Sequence, residues 1–213
     1  MNDNSNVLLV EGNDDQHVFW NLFEAHSIPV SFSVEKCGSD SGVLRDLGVR
    51  LKGSTTQAIG VILDADVSPE GRWISIKDVL RKHDYPEIPD EPQSHGAVVL
   101  REGKPRIGIW LMPDNVTQGM LEDFVCLLIP DGDELFNYAR TCINGMSNDL
   151  RLFKDAHQSK AEIHTWLAWQ EDPGTPMGLA IRKKYLNPDR GKVPDFLKWV
   201  ERVFLTEGTN HSA

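Results

Sequence analysis

The sequence predicts an α/β fold, with a mostly parallel sheet flanked by helices and a C-terminal helical extension. Three observations carry that prediction. Short apolar runs alternate with stretches of helical periodicity from residue 6 to residue 83. The run Ala58-Ile59-Gly60-Val61-Ile62-Leu63 is apolar on both faces, as in a strand buried at the centre of a parallel sheet. From residue 131 onward the strand-like runs stop and helix-like patterns take over. The expected division is therefore an α/β domain over 1–130 and a helical extension packed on it over 131–213.

The first strand is expected over 6–10, ending in Glu11-Gly12-Asn13-Asp14-Asp15. Gly12 permits a tight turn, and Asn13 or Asp14 suits the cap of a helix over 15–26 that places Val18, Phe19, Leu22 and Phe23 on one face. Ile28-Pro29 ends that helix. A second strand is expected over 30–36, a loop over 38–42 and a helix over 43–52. The central strand then terminates in Asp64-Ala65-Asp66. Turn chemistry over 67–71 and a helix over 72–83 follow. Residues 85–95 read as a loop, and 97–100 with 106–111 as two strands around a hairpin-like turn.

A helix is then expected with Leu121, Phe124, Val125 and Leu128 inward, which leaves Glu122 and Asp123 in its first turn, where acids often complement the helix dipole. Further helices are expected over 133–146, 150–169, 178–184 and 193–205, with a frayed tail over 207–213. Trp166, Trp169 and Trp199 fall at helical spacing with other apolar residues and read as core anchors.

Composition narrows the function. No apolar run approaches the roughly 20 residues needed to cross a bilayer, and from its polar N-terminus no signal peptide is expected. The expected setting is cytoplasmic. Cys37, Cys126 and Cys142 are far apart and odd in number, so neither a disulfide framework nor a cysteine zinc site is indicated. His157 and His164 lack a nearby third ligand and read as structural or phosphate-contacting. A net charge of −10 argues against broad, nonspecific nucleic-acid binding but leaves room for a local basic groove. Neither a dinucleotide fingerprint nor a P-loop follows the first strand.

The chemistry points to the strand ends. Parallel strands linked by right-handed crossovers put Glu11 and Asp64 on the same sheet edge, and in open α/β sheets that edge binds ligands. Three carboxylates there (Glu11, Asp64 and Asp66) repel one another unless a cation lies between them, and their oxygens suit Mg²⁺ or Mn²⁺ rather than zinc. The plainer alternative is that one aspartate caps the following helix and the other is solvated.

Val10-Glu11-Gly12, Leu63-Asp64-Ala65-Asp66 and Leu121-Glu122-Asp123-Phe124 together resemble the Toprim domain of topoisomerases, primases and OLD-family nucleases, over roughly residues 5–130. Ser159 to Ala168 is similar to the tail of small stand-alone Toprim-like proteins of uncharacterised function related to those nucleases. The resemblance implies a Toprim-like, Rossmann-like sheet and a metal-dependent phosphodiesterase acting on DNA or RNA. Glu11 matches the first Toprim acid, Asp64 and Asp66 its Asp-x-Asp, Glu122 a further metal-binding acid of the OLD type, and Lys160 the lysine beside the scissile phosphate. Arg182, Lys183, Lys184, Arg190 and Lys192 are then the candidates for nucleic-acid backbone contacts, or else a solvated helix face. With no ATPase domain expected beside it, an OLD-like reaction would need no nucleotide here or would take it from a separate ATPase partner; a homo-oligomer also stays open.

Two other readings stand beside this one. In a HAD-like phosphatase Asp64 would be the nucleophile, Asp66 the acid/base, and Asp131-Gly132-Asp133 the later acidic motif, which leaves Glu11 without a role. In a non-catalytic Toprim-like module the acids would bind a metal or a partner without turnover.

Overall fold

The alternation that predicts the strands also sorts their side chains onto two cores. In β1 (Asn6–Val10), Val7 and Leu9 enter one core and Leu8 and Val10 the other. In β3 (Ala58–Asp64), Ile59, Val61 and Leu63 join the first set and Ile62 the second. In β5 (Arg106–Met112), Ile107, Ile109 and Leu111 separate from Trp110 and Met112 in the same way. The computed structural model describes residues 6–53 and 55–205; the tail expected over 207–213 lies outside the described residues.

The five strands lie in the order β2-β1-β3-β5-β4, with β2 spanning Ser33–Lys36 and β4 Ala97–Val99. β1 pairs parallel with both β2 and β3, and β3 with β5; β4 alone runs antiparallel, paired with β5. The chain is thus α/β with a mostly parallel sheet flanked by helices. After β2 it returns past β1 to add β3 on the other side, so the order reverses between β1 and β3. Such a reversal opens a crevice at the carboxyl ends of those two strands.

One face of the sheet is covered by α2 (Asp40–Arg50) and α3 (Pro69–Lys82). The other is covered by α1 (Asn13–Ala25), α4 (Leu121–Cys126), α6 (Gln158–Ala168), α7 (Met177–Arg182) and α8 (Val193–Val200), with α5 (Glu134–Asn144) beside α6. The C-terminal helices therefore share a continuous core with the sheet. Gly60 and Gly108 are register partners in β3 and β5. A Cβ on Gly108 would stand 2.3 Å from a Val203 methyl, and one on Gly60 2.8 Å from the Phe204 ring. These two glycines leave a trough in the sheet into which the last described turn, Glu201–Leu205, presses.

Several boundaries shift for local reasons. α1 starts at Asn13, with Gly12 at the cap and Asp15 accepting the Gly12 N–H at 3.1 Å, so neither Asn13 nor Asp14 caps it. Ser39 and Ser68 cap α2 and α3 by accepting the N–H of Gly42 and of Gly71, drawing into helix residues expected to be loop. β2 is shorter than the expected 30–36. Trp166 and Trp199 are buried, their indole N–H groups donating to Asp133 Oδ1 and to the Ala97 carbonyl. Trp169 is a correction: it is 41% exposed and rests on Tyr138 instead of entering the core, because it falls at the end of α6 beyond the buried stripe.

Candidate functional site

Glu11 leaves β1 and Asp64 closes β3, side by side at the point where the strand order reverses. Glu11 Oε1 accepts the Asp64 backbone N–H at 2.9 Å, tying the two strand ends together. Asp64 Oδ1 in turn accepts the Leu121 N–H at 2.9 Å, which docks the start of α4 and sets Glu122 beside it. Asp66, in the left-handed region at φ 51°, exchanges two 2.8 Å backbone hydrogen bonds with Gly119, pinning the loop after β3 to the one before α4. A cavity of about 570 Å³ results, lined by Glu11, Asp14, Asp15, Asp64, Asp66 and Glu122, with His157 and Lys160 entering from α6 and the residue before it.

All five residues singled out for the reaction, Glu11, Asp64, Asp66, Glu122 and Lys160, meet in this cavity, but on unequal terms. Asp66 is exposed, and its carboxylate is taken by Arg72 Nη2 at 2.5 Å. Arg72 also donates from Nε to the Asp64 carbonyl at 3.0 Å and pairs with Asp40, whose carboxyl it holds below the ordinary value. Glu122, almost fully buried, accepts from Lys160 Nζ at 2.6 Å. That hydrogen bond raises the lysine pKa.

Among the described residues, Glu11, Asp15 and Asp64 have no cationic side chain within ion-pairing distance. Burial is the first cause of a raised pKa in each, followed for Asp15 and Asp64 by the charge of Glu11. Asp15 is pushed up to about 7 and Asp64 to about 8. Near neutrality this part of the cavity holds protons or takes up positive charge from outside.

Sequence reading missed Asp15, Arg72 and Asp40. Asp15 sits four residues after Glu11, in the first turn of α1, and there its carboxyl reaches the cavity. Arg72 carried a legible signal: a cation near a helix N-terminus opposes the helix dipole and so calls for another partner. His157 joins the cavity, whereas His164 is exposed on α6. Asp123 serves α4 itself, accepting the Met120 N–H at 2.8 Å and the Ser159 hydroxyl.

The basic residues lie elsewhere. Lys183 pairs with Asp172, Arg190 with Asp131, Lys192 with Asp195 at 3.5 Å and Arg182 with Glu24 at 3.9 Å. Arg182 and Lys184 line a separate cleft with Glu24 and Asp189. None of these five lines the acidic cavity. Asp131 and Asp133 also line another cleft, where Asp133 caps α5 by accepting the Phe136 N–H. The structure therefore does not bring the third acidic element of a HAD-like site to Asp64.

The donor set fits a hard divalent cation in kind, since the cavity offers carboxylate oxygens and neither thiolate nor more than one imidazole. As they stand, the carboxylates face backbone N–H groups, Arg72 or Lys160, and among the described residues no group of three or more His, Cys, Asp or Glu is arranged to hold a metal ion. Glu11, Asp64 and Glu122 would have to turn onto a common point.

A family model described as "Protein of unknown function (DUF3226)" matches residues 5–205. No match is found among curated proteins or among solved structures.

Proposed function

As the chain belongs to that DUF3226 family, whose description assigns no activity, we propose from the site alone that it is a metal-dependent phosphodiesterase, a nuclease acting on DNA or RNA with Mg²⁺ or Mn²⁺ in a cytoplasmic setting. The observation that carries this reading is the convergence of Glu11, Asp64 and Glu122 with one lysine, Lys160, in one cavity at the sheet's crevice. The Toprim-like and OLD-like resemblance agrees with it in the order of those residues along the chain.

In this reading Glu11, Asp64 and Glu122 would hold the cation, and Asp15, which lines the same cavity, would add negative charge to the site. When bound, such a cation supplies charge neutralisation and Lewis acidity at a phosphodiester. Asp64 and Asp15, held near 8 and near 7, would have to give up protons to serve a cation, so binding would be coupled to proton loss. Arg72 fixes Asp66 and the Asp64 carbonyl, which makes Asp66 an anchor of the loop more than a free ligand. Lys160 neutralises charge developing on a non-bridging phosphoryl oxygen. Backbone contacts to the nucleic acid fall to residues around the cavity, such as Lys36, which donates to the lining residue Asn13 at 2.5 Å, since Arg182 to Lys192 lie elsewhere.

The test is Mn²⁺-dependent nicking of supercoiled plasmid and cleavage of labelled RNA by the purified chain, lost in Glu11→Gln and Asp64→Asn. A folded parent protein inert on both with either metal would overturn the proposal. An acid-stable phosphoryl adduct at Asp64 would replace it with a phosphatase.

A further inference from the structure

The first turn of α4 presents two consecutive acids, and two consecutive residues of α6 claim them. Ser159 donates its hydroxyl to Asp123 Oδ1, and Lys160 Nζ lies 2.6 Å from Glu122 Oε1. The two contacts differ in kind. Asp123 is engaged at both oxygens, the second by the Met120 N–H, and so clasps α6 to α4 whatever Lys160 does. The Glu122 side chain is 5% exposed and faces the cavity shared with Glu11 and Asp64, while the Lys160 side chain is 51% exposed. The carboxylate is enclosed by protein, and the ammonium stands on a flexible stem with water at hand.

A buried carboxylate left without counter-charge is strongly unfavourable. With no other cation present, Lys160 supplies that charge. A dication held jointly by Glu11 and Asp64 supplies it better, because it carries twice the charge and faces several carboxylates at once. We infer that Lys160 is the resident counter-ion of Glu122 and gives that carboxylate up to a divalent cation, so that metal uptake frees the ammonium for a substrate phosphate. The inference rests on the metal-dependent reading above. Its consequence is an ordered site: without metal, a phosphate meets an acidic cavity whose lysine is engaged; with metal, the cation and the released ammonium both face it. Metal and phosphate then bind with positive coupling.

Calorimetric titration of Mn²⁺ into the parent, Lys160→Met, Glu122→Gln and the double variant, followed by inorganic phosphate, tests this without reference to turnover. Lys160→Met keeps the Ser159–Asp123 clasp and the apolar stem, so it is expected to fold. It should bind Mn²⁺ about 3–10-fold more tightly than the parent, the scale of removing one partly exposed ion-pair competitor. The gain should shrink to less than half when Glu122 is already glutamine, and Mn²⁺ should strengthen phosphate binding in the parent but not in Lys160→Met. No gain in Lys160→Met, or one that persists in full beside Glu122→Gln, overturns the exchange and leaves the metal site standing. A parent protein that takes up no Mn²⁺ or Mg²⁺ overturns the functional reading itself, and this inference with it.

Discussion

Replacing Asp64 by asparagine should stabilise the metal-free protein. Asp64 is ordinarily an acid of pKa 3.8, and burial followed by the charges of Glu11, Asp15, Glu122 and Asp66 pushes it up to about 8. A carboxyl raised in this way favours the fold at acid pH, and the advantage is lost as pH rises from the unfolded value toward the folded one. At pH 7 the folded chain keeps a proton that the unfolded chain has released, over an interval of about three pH units, which corresponds to about 4 kcal/mol. Asparagine carries no such penalty, and its Oδ1 still accepts the Leu121 N–H. Burying its amide costs about 1–2 kcal/mol, leaving a net gain of about 2–3 kcal/mol at pH 7. For a chain of this size that is a rise of roughly 4–12 °C in melting temperature. At pH 5 the interval falls to about one unit and the two proteins should melt nearly together. Thermal melts in chelator at pH 5, 7 and 8.5, repeated with millimolar Mn²⁺, give the comparison. Mn²⁺ should raise the parent curve and leave the variant where it is. If Asp64→Asn melts below the parent in chelator at pH 8.5, the picture of a strained, proton-holding carboxylate cluster is wrong.

Other expectations follow from the same geometry. Mn²⁺ binding to the parent near pH 7 should release protons, read as a binding heat that changes with the ionisation enthalpy of the buffer, since Asp15 and Asp64 are held near 7 and 8; buffer-independent heats would count against their participation. Lys160→Ala should keep the fold and lower cleavage on the order of 10²-fold, the scale of losing one transition-state charge stabiliser, and arginine should restore little because a planar fork does not reproduce a compact ammonium. Arg72→Gln leaves Asp40 and Asp66 without their cation and the Asp64 carbonyl without its donor, so it should lower both melting temperature and Mn²⁺ affinity, whereas an unchanged metal isotherm would limit Arg72 to stability. Gly108→Ala drives a Cβ to within 2.3 Å of Val203 and should destabilise by about 1–3 kcal/mol, measurable by urea unfolding.

What the sequence determined is what local periodicity and chain chirality control. Runs buried on both faces, alternating with amphipathic helices, require a parallel sheet with crossovers. That requirement puts Glu11 and Asp64 at one edge without further information. The caps at Ser39 and Ser68 were also present in the sequence, as Ser-containing turns read as loop three residues too long.

Tertiary packing decided the rest, because it depends on contacts between residues far apart in the chain. The reversal of strand order between β1 and β3 is a choice of which edge to extend, and no local pattern encodes it. Arg72 captures Asp66 only because the loop after β3 is pinned to Gly119. The Glu122–Lys160 pair spans two helices held together by Ser159 and Asp123. Arg182, Lys183 and Arg190, part of a plausible groove in one dimension, pair with acids from α1, from the turn after α6 and from the loop before α5, and Lys192 pairs with Asp195 in the first turn of α8. Trp169 shows the same limit in a single residue. Helical spacing says which residues share a face, but only the neighbouring helix decides how far along that face water is excluded.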